Sequence, residues 1–85
     1  MMKLQVRYFA QLREALQIDA EALTIEQPTA VTDLIEQLRG RGGAWEDALS
    51  SEERICVAVN QEMVPMTHQL CGDAEVALFR PVTGG

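Results

Sequence analysis

The order of apolar and polar residues predicts a strand, a short helix and a second strand at the start of the chain. Apolar and polar residues alternate strictly over Lys3–Tyr8, which predicts a half-buried strand with its apolar side chains at the even positions. The apolar spacing then changes to that of a helix, predicted over Phe9–Leu16. Glu21–Glu26 alternates again, and this second strand is close enough in sequence to pair with the first.

The clearest helical pattern follows Pro28. Four apolar residues recur at positions i, i+3, i+4 and i+7, so one stripe of this helix should cover a face of the sheet. Thr29 is the predicted N-cap, with Thr32 as the alternative, and Gly40 should end the helix just after Arg39. The four residues of the stripe are Val31, Leu34, Ile35 and Leu38.

The second half of the chain carries short strands joined by polar segments. In chain order we predict a helical turn at Ala44–Leu49, a strand alternating through Ile55, Val57 and Val59, a turn at Asn60-Gln61, a short strand at Met63-Val64, a loop over Pro65–Asp73 and a last strand over Glu75–Arg80. About five short strands with one main helix predict an α+β roll, in which a mixed sheet packs on that helix. This is the pattern of a β-grasp, ubiquitin-like domain, here residues 1–80, followed by an extended tail over residues 81–85.

Charge and composition exclude several classes of function. The 85 residues include thirteen acidic and seven basic side chains, a formal charge of −6, which repels nucleic acid and anionic membranes. No apolar run approaches the length of a membrane span, and the N-terminus lacks a signal-peptide core, so we expect a soluble cytoplasmic protein. One histidine and two cysteines without CxxC spacing give no convincing metal site.

By elimination, the candidate reactive group is the α-carboxyl of Gly85, since no side-chain cluster suits catalysis. Gly84 and Gly85 lack a Cβ, so this tip could pass through a channel too narrow for other residues. A carboxylate is a poor electrophile, and the general route to its activation is adenylation by ATP. The chain has no nucleotide-binding motif, so a partner must use the ATP and this chain should bind no cofactor. The activated carbonyl could then accept either an amine or a sulfur.

The residues before the tip predict how it is presented. Pro81 should stiffen the base of the tail, and Val82 and Thr83 extend it, for a reach of at most about 16–18 Å. A domain that docks on an enzyme needs an apolar patch beside this tail. We predict that Phe79 and Met63 form it, and the alternative is that both belong to the core.

Several short motifs spread over nearly the whole chain resemble one known family. They are Phe9-Ala10-Gln11-Leu12-Arg13-Glu14, Pro28-Thr29, Trp45, Val57-Ala58-Val59-Asn60-Gln61 and the segment from Asp73 to Pro81-Val82-Thr83-Gly84-Gly85. Together they resemble the small subunits of molybdopterin synthase, which are ubiquitin-like sulfur carriers. The family often has Phe-Pro-Pro before Val-Thr-Gly-Gly, whereas Arg80 replaces the first proline here and adds a positive charge at the predicted docking edge.

The resemblance implies a sulfur-donating subunit with no activity alone. An E1-like adenylyltransferase would adenylate Gly85, and a persulfide would convert the adenylate to a thiocarboxylate. The tail would then enter the large synthase subunit and give its sulfur to cyclic pyranopterin monophosphate. Three alternatives remain open: a carrier for thiamine thiazole synthesis, a ubiquitin-related protein modifier, and an interaction domain whose Gly-Gly is incidental.

Overall fold

The computed structural model describes residues 1–50 and 54–81, which form a mixed sheet with helices packed on one face. In chain order the elements are β1 (Met2–Tyr8), α1 (Ala10–Leu16), β2 (Ala20–Ile25), β3 (Thr29–Ala30), α2 (Val31–Arg39), α3 (Ala44–Ala48), β4 (Cys56–Val59), β5 (Glu62–Val64), β6 (Gln69–Leu70) and β7 (Ala74–Phe79). No helix in these two stretches is long and apolar enough to cross a membrane.

The five-stranded sheet has the order β2-β1-β7-β4-β5. β1 and β7 run parallel, and the other neighbours are antiparallel. The last strand therefore lies in the centre, hydrogen-bonded to β1 on one side and β4 on the other. This arrangement confirms the predicted α+β roll of the β-grasp type.

The core lies between one face of this sheet and the helices. β1 alternates buried and exposed residues along its whole length, as its sequence predicts. All four residues of the predicted α2 stripe are buried, so the helical periodicity identified the packed face correctly. A fully buried aliphatic side chain contributes about 1.5–3 kcal/mol. Those with the least exposure include Leu4, Val6, Leu12, Val31, Leu34, Leu49, Val76 and Leu78.

The predicted N-cap of the main helix is wrong. Thr29 belongs to β3, and its hydroxyl donates to the Gln27 carbonyl 3.0 Å away. The helix begins at Val31 after Ala30, and the alternative cap, Thr32, already lies inside the helix. Backbone carbonyls replace the missing cap, because the Val31 and Thr32 amides donate to the carbonyls of His68 and Met66.

These carbonyls come from the segment predicted as a loop, which is more ordered than expected. Gln69–Leu70 pairs antiparallel with Thr29–Ala30 in a second, two-stranded sheet. The pairing holds Leu70 in the core and positions the preceding carbonyls over the start of α2. The last strand has the predicted length but lies one residue earlier, from Ala74 to Phe79, and it ends opposite Cys56, where β4 begins.

Candidate functional site

The tail base, defined here as Arg80-Pro81, follows directly from the central strand of the sheet. Because β7 is hydrogen-bonded on both sides, this strand is among the most restrained backbone segments of the domain. Val82, Thr83, Gly84 and Gly85 lie outside the described residues, so their predicted roles stay predictions. The structure thus shows a rigid starting point for the segment that carries the candidate reactive carboxyl.

One side of β7 faces away from the helices. Val76 and Leu78 are buried in the core, whereas Ala77 and Phe79 point to the opposite face. Residues directly across a ladder share a face. The pairs Cys56↔Phe79, Ala58↔Ala77 and Ala58↔Met63 therefore define the open-face patch, which consists of Cys56, Ala58, Met63, Ala77 and Phe79.

The open-face patch contains both residues that the sequence proposed for docking. Met63 is 63% exposed, and Phe79 is half-buried and lies outside the core cluster. The structure therefore brings these two side chains together on the face without helices, next to the tail base. Their binding of a partner remains a prediction, but the alternative that they are core residues does not match their positions.

Charged residues border the open-face patch on the side of β1. Arg7 lies across from Ala77, and its guanidinium is 3.7 Å from the Glu75 carboxylate. The same guanidinium lies over the Phe9 ring, 5.3 Å from the ring centroid. Both members of the ion pair are substantially exposed, so the pair contributes little to stability. It instead gives the apolar patch a polar border, as a docking surface usually has.

The side chain of Arg80 does not point toward the open-face patch, where the sequence placed its charge. It follows Phe79, so its side chain turns to the helical side of the sheet. Its Nη2 donates to the Ala48 carbonyl at the end of α3, at 3.1 Å. The guanidinium is half-buried and borders a shallow cavity of about 290 Å³ with Ala15, Ala44 and Asp47.

A second cluster, which the sequence analysis missed, joins Tyr8, Glu21, Arg41 and Trp45. The Tyr8 hydroxyl donates to Glu21 Oε2 at 2.7 Å, and Arg41 donates to both oxygens of the same carboxylate. Arg41 also lies over the Trp45 ring at 4.4 Å, and Trp45 meets Tyr8 edge-on at 5.5 Å. No local motif signals this cluster, because its members come from four separate segments.

The electrostatics of this cluster favour one charge state. The Arg41 guanidinium holds the pKa of the Glu21 carboxyl below its ordinary value, and the bond from Tyr8 acts in the same direction. Burial raises the pKa of the Tyr8 phenol, and the neighbouring Glu21 carboxylate raises it further. Tyr8 therefore stays a neutral donor and Glu21 an ionised acceptor. The arrangement connects β1, β2 and α3 and serves the fold rather than catalysis.

Other candidate chemistry is sparse in the described part of the chain. No group of three or more His, Cys, Asp or Glu side chains there could hold a metal ion. Cys56 lies half-buried in the open-face patch, and Cys71 is exposed in a loop, both as free thiols. Among the described residues, the open-face patch and the tail base are the features that suit a partner protein.

The fold and this site define a ubiquitin-like protein of the β-grasp class, in which an exposed apolar patch adjoins the base of a C-terminal segment. The ThiS family model matches residues 6–85. A relative from Escherichia coli K12, the molybdopterin synthase sulfur carrier subunit, is 38% identical over 82 residues, covering 96% of this chain and 99% of that protein. The chain belongs to the ThiS family, and this relative is one of the molybdopterin synthase small subunits that its sequence motifs resemble.

Solved structures with the same fold carry related names. A putative molybdopterin converting factor subunit 1 from Pyrococcus furiosus matches with a TM-score of 0.78 and 27% identity, over 96% of this chain and 100% of that chain. SAMP1 from Haloferax volcanii matches with a TM-score of 0.74 and 25% identity, over 98% of this chain and 99% of that chain. Another solved structure is a complex of subunits 1 and 2 of the Helicobacter pylori molybdopterin-converting factor. One chain of it matches with a TM-score of 0.65 and 16% identity, over 99% of this chain and 100% of that chain, which shows a likeness of fold alone.

Proposed function

We propose that this chain is the sulfur carrier subunit of molybdopterin synthase. The main support is the similarity to the Escherichia coli carrier subunit over 96% of this chain, together with the family match over residues 6–85, which includes the segment leading to the tail. The open-face patch beside a rigid tail base supplies what a carrier needs, namely a surface that docks and a segment that reaches the active site of another protein. The large synthase subunit is the proposed partner of this surface.

The proposed chemistry takes place at Gly85. Its carboxylate attacks ATP in an E1-like adenylyltransferase, giving an acyl-adenylate and pyrophosphate. A persulfide sulfur then displaces AMP and forms an acyl disulfide, and a thiol cleaves that disulfide to leave the thiocarboxylate. The S–S electrons leave with the new thiocarboxylate sulfur, and the thiol is oxidised to a disulfide. No step requires a cofactor bound to this chain.

On the large subunit, the thiocarboxylate sulfur would displace an oxygen substituent from a carbon of cyclic pyranopterin monophosphate, so that a C–S bond forms as a C–O bond breaks and the oxygen leaves with its electron pair. Water then hydrolyses the resulting thioester, which leaves the sulfur on the pterin and returns the carrier carboxylate. Two carriers used in succession supply the two dithiolene sulfurs. The acidic carrier is poorly suited to hold this anionic substrate by itself, so the large subunit must provide the cations.

Reconstitution with the large subunit, the adenylyltransferase, a persulfide source and the pterin precursor tests the proposal. The unmodified chain should gain mass equal to the exchange of one oxygen for sulfur, and molybdopterin should form. Deletion of Gly85, or addition of one residue after it, should abolish both results while leaving the thermal unfolding curve unchanged. Molybdopterin formation by the Gly85-deleted chain would contradict the mechanism.

A protein modifier is the second candidate, since a small archaeal modifier protein 1 shares the fold. A modifier would form an isopeptide between Gly85 and lysine amines, visible as higher-mass conjugates in cells that produce the chain. A carrier for thiamine thiazole synthesis would gain sulfur without forming molybdopterin in the reconstituted system. The same two measurements, intact mass and pterin product, therefore separate these functions.

A further inference from the structure

Two carbonyl oxygens at the end of α3 each accept a hydrogen bond from an arginine side chain. Arg80 of the tail base donates to the Ala48 carbonyl at 3.1 Å, and Arg39 at the end of α2 donates to the Leu49 carbonyl at 2.9 Å. Such carbonyls lack partners within a helix and attract cations. Of these two contacts, the one from Arg80 connects α3 to the tail.

The backbone at Arg80 is restricted at the same point. Arg80 precedes Pro81, and steric conflict with the proline ring keeps a residue in this position extended. The hydrogen-bonded strand ends at Phe79, so its sheet partners no longer restrain the segment that follows. The side-chain bond to Ala48 therefore supplies a restraint just where the strand ladder stops.

We propose that Arg80 is a positioning residue that ties the tail base to α3 and fixes the direction in which the tail leaves the sheet. The inference rests on the proposed carrier function, because a directed tail matters when it must enter a partner's active site. In this arrangement Arg80 acts within the chain, on the face opposite the open-face patch, and not as a contact with the large subunit. Docking and tail presentation then depend on different sides of β7.

The bond from Arg80 to Ala48 restricts the tail base before the tail enters the partner's active site. The tail therefore loses less conformational entropy when it is inserted. Fixing one backbone residue in a single conformation carries an entropy cost equivalent to roughly a tenfold change in rate. If the loss of the Arg80 bond frees about one residue, sulfur transfer at saturating large subunit should slow roughly tenfold. The dissociation constant for the large subunit should change less than about threefold, since the open-face patch is unaltered.

The experiment compares Arg80→Gln with Arg39→Gln. The two changes remove the same kind of bond from the same end of α3, but the Arg39 bond joins α3 to α2, whereas the Arg80 bond joins α3 to the tail base. Each purified variant is converted to the thiocarboxylate, and single-turnover transfer to the pterin precursor is measured with excess large subunit. We expect transfer by Arg80→Gln to be slower and transfer by Arg39→Gln to match the unaltered chain.

Three results would overturn the inference. Equal slowing in both variants would mean that a loosened α3 is responsible, and unaltered transfer by Arg80→Gln would mean that the bond does not direct the tail. The third is a salt-dependent loss of affinity for the large subunit in Arg80→Gln together with normal affinity in Arg80→Lys. That pair of results would mean that Arg80 contacts the partner through its charge.

A measurement on the isolated chain separates this inference from the proposed function. Backbone ¹⁵N relaxation of Val82 and Thr83 should show lower order in Arg80→Gln than in Arg39→Gln, whether or not the chain carries sulfur. If the unaltered chain fails to transfer sulfur but this difference is present, the proposed function fails and the restraint stands. If the difference is absent, the restraint itself is refuted.

Discussion

Phe79 and Leu78 are neighbours on β7 with side chains on opposite faces of the sheet. Truncation of Leu78 should therefore affect the stability of the fold, and truncation of Phe79 should affect the binding of the large subunit. Leu78 is completely buried, at 0% exposure. Leu78→Ala should therefore lower the free energy of unfolding by about 2–5 kcal/mol, through lost burial and the cavity left behind. At roughly 4–8 °C for each kcal/mol in a domain of this size, the melting temperature should fall by about 10 °C or more.

Phe79→Ala should behave in the opposite way. Phe79 is half-buried outside the core, so its truncation should cost about 1 kcal/mol or less in the free energy of unfolding. In the complex, however, its ring would be covered by the large subunit. A central aromatic residue of an interface contributes about 2 kcal/mol, which corresponds to a dissociation constant about thirtyfold weaker.

Thermal unfolding by circular dichroism and calorimetric titration with the large subunit measure the two quantities. Thr24→Ala is a suitable control, because Thr24 lies on the open face but on the edge strand β2, away from the open-face patch. It should change neither quantity. If Phe79→Ala destabilises the domain as much as Leu78→Ala, Phe79 is a core residue and the assignment of faces is refuted. If the affinity is unchanged, the open-face patch is not the docking surface.

Two further predictions concern stability. Arg41 lowers the pKa of Glu21, so the ionised pair stabilises the fold above the unfolded-state pKa of about 4.3, and this contribution disappears as the pH falls through the lower folded-state pKa. Urea unfolding should therefore show Glu21→Gln less stable than the unaltered chain near pH 7 but nearly equal to it at strongly acidic pH, and a difference independent of pH would contradict the assignment. Asn60 and Gln61 both have positive φ, of 50° and 72°, in the turn between β4 and β5. Because an Asn-Gly pair suits such a turn, Gln61→Gly should raise the urea midpoint by an amount equivalent to about 0.5–1 kcal/mol, and a lower midpoint would refute the expected relief of strain.

Local periodicity was sufficient to predict most of the fold. The α2 stripe and the alternation in β1 each follow from apolar spacing, and the structure confirms both. The same alternation, applied to the last strand, placed Phe79 on the opposite face from Leu78. Such predictions succeed because burial on one face of a helix or strand requires a regular repeat.

Predictions failed or were missing where distant segments meet. Thr29 has the side chain of a good N-cap, but pairing with Leu70 draws it into a strand instead. The Tyr8–Glu21 bond and the contact of Arg80 with Ala48 also join residues far apart in sequence. No local pattern encodes such contacts, because they depend on how the loops return to the sheet.

The place of β7 in the middle of the sheet also has a consequence for synthesis in the cell. Both β1 and β4 need this strand as a neighbour, yet the ribosome makes it after the other strands of the sheet. Folding must therefore wait until Phe79 has emerged, and a nascent chain that stops short of it keeps its apolar surfaces open to chaperones and proteases. Chains that fold and escape degradation are therefore those that contain the whole of β7, the strand from which the tail leaves the sheet.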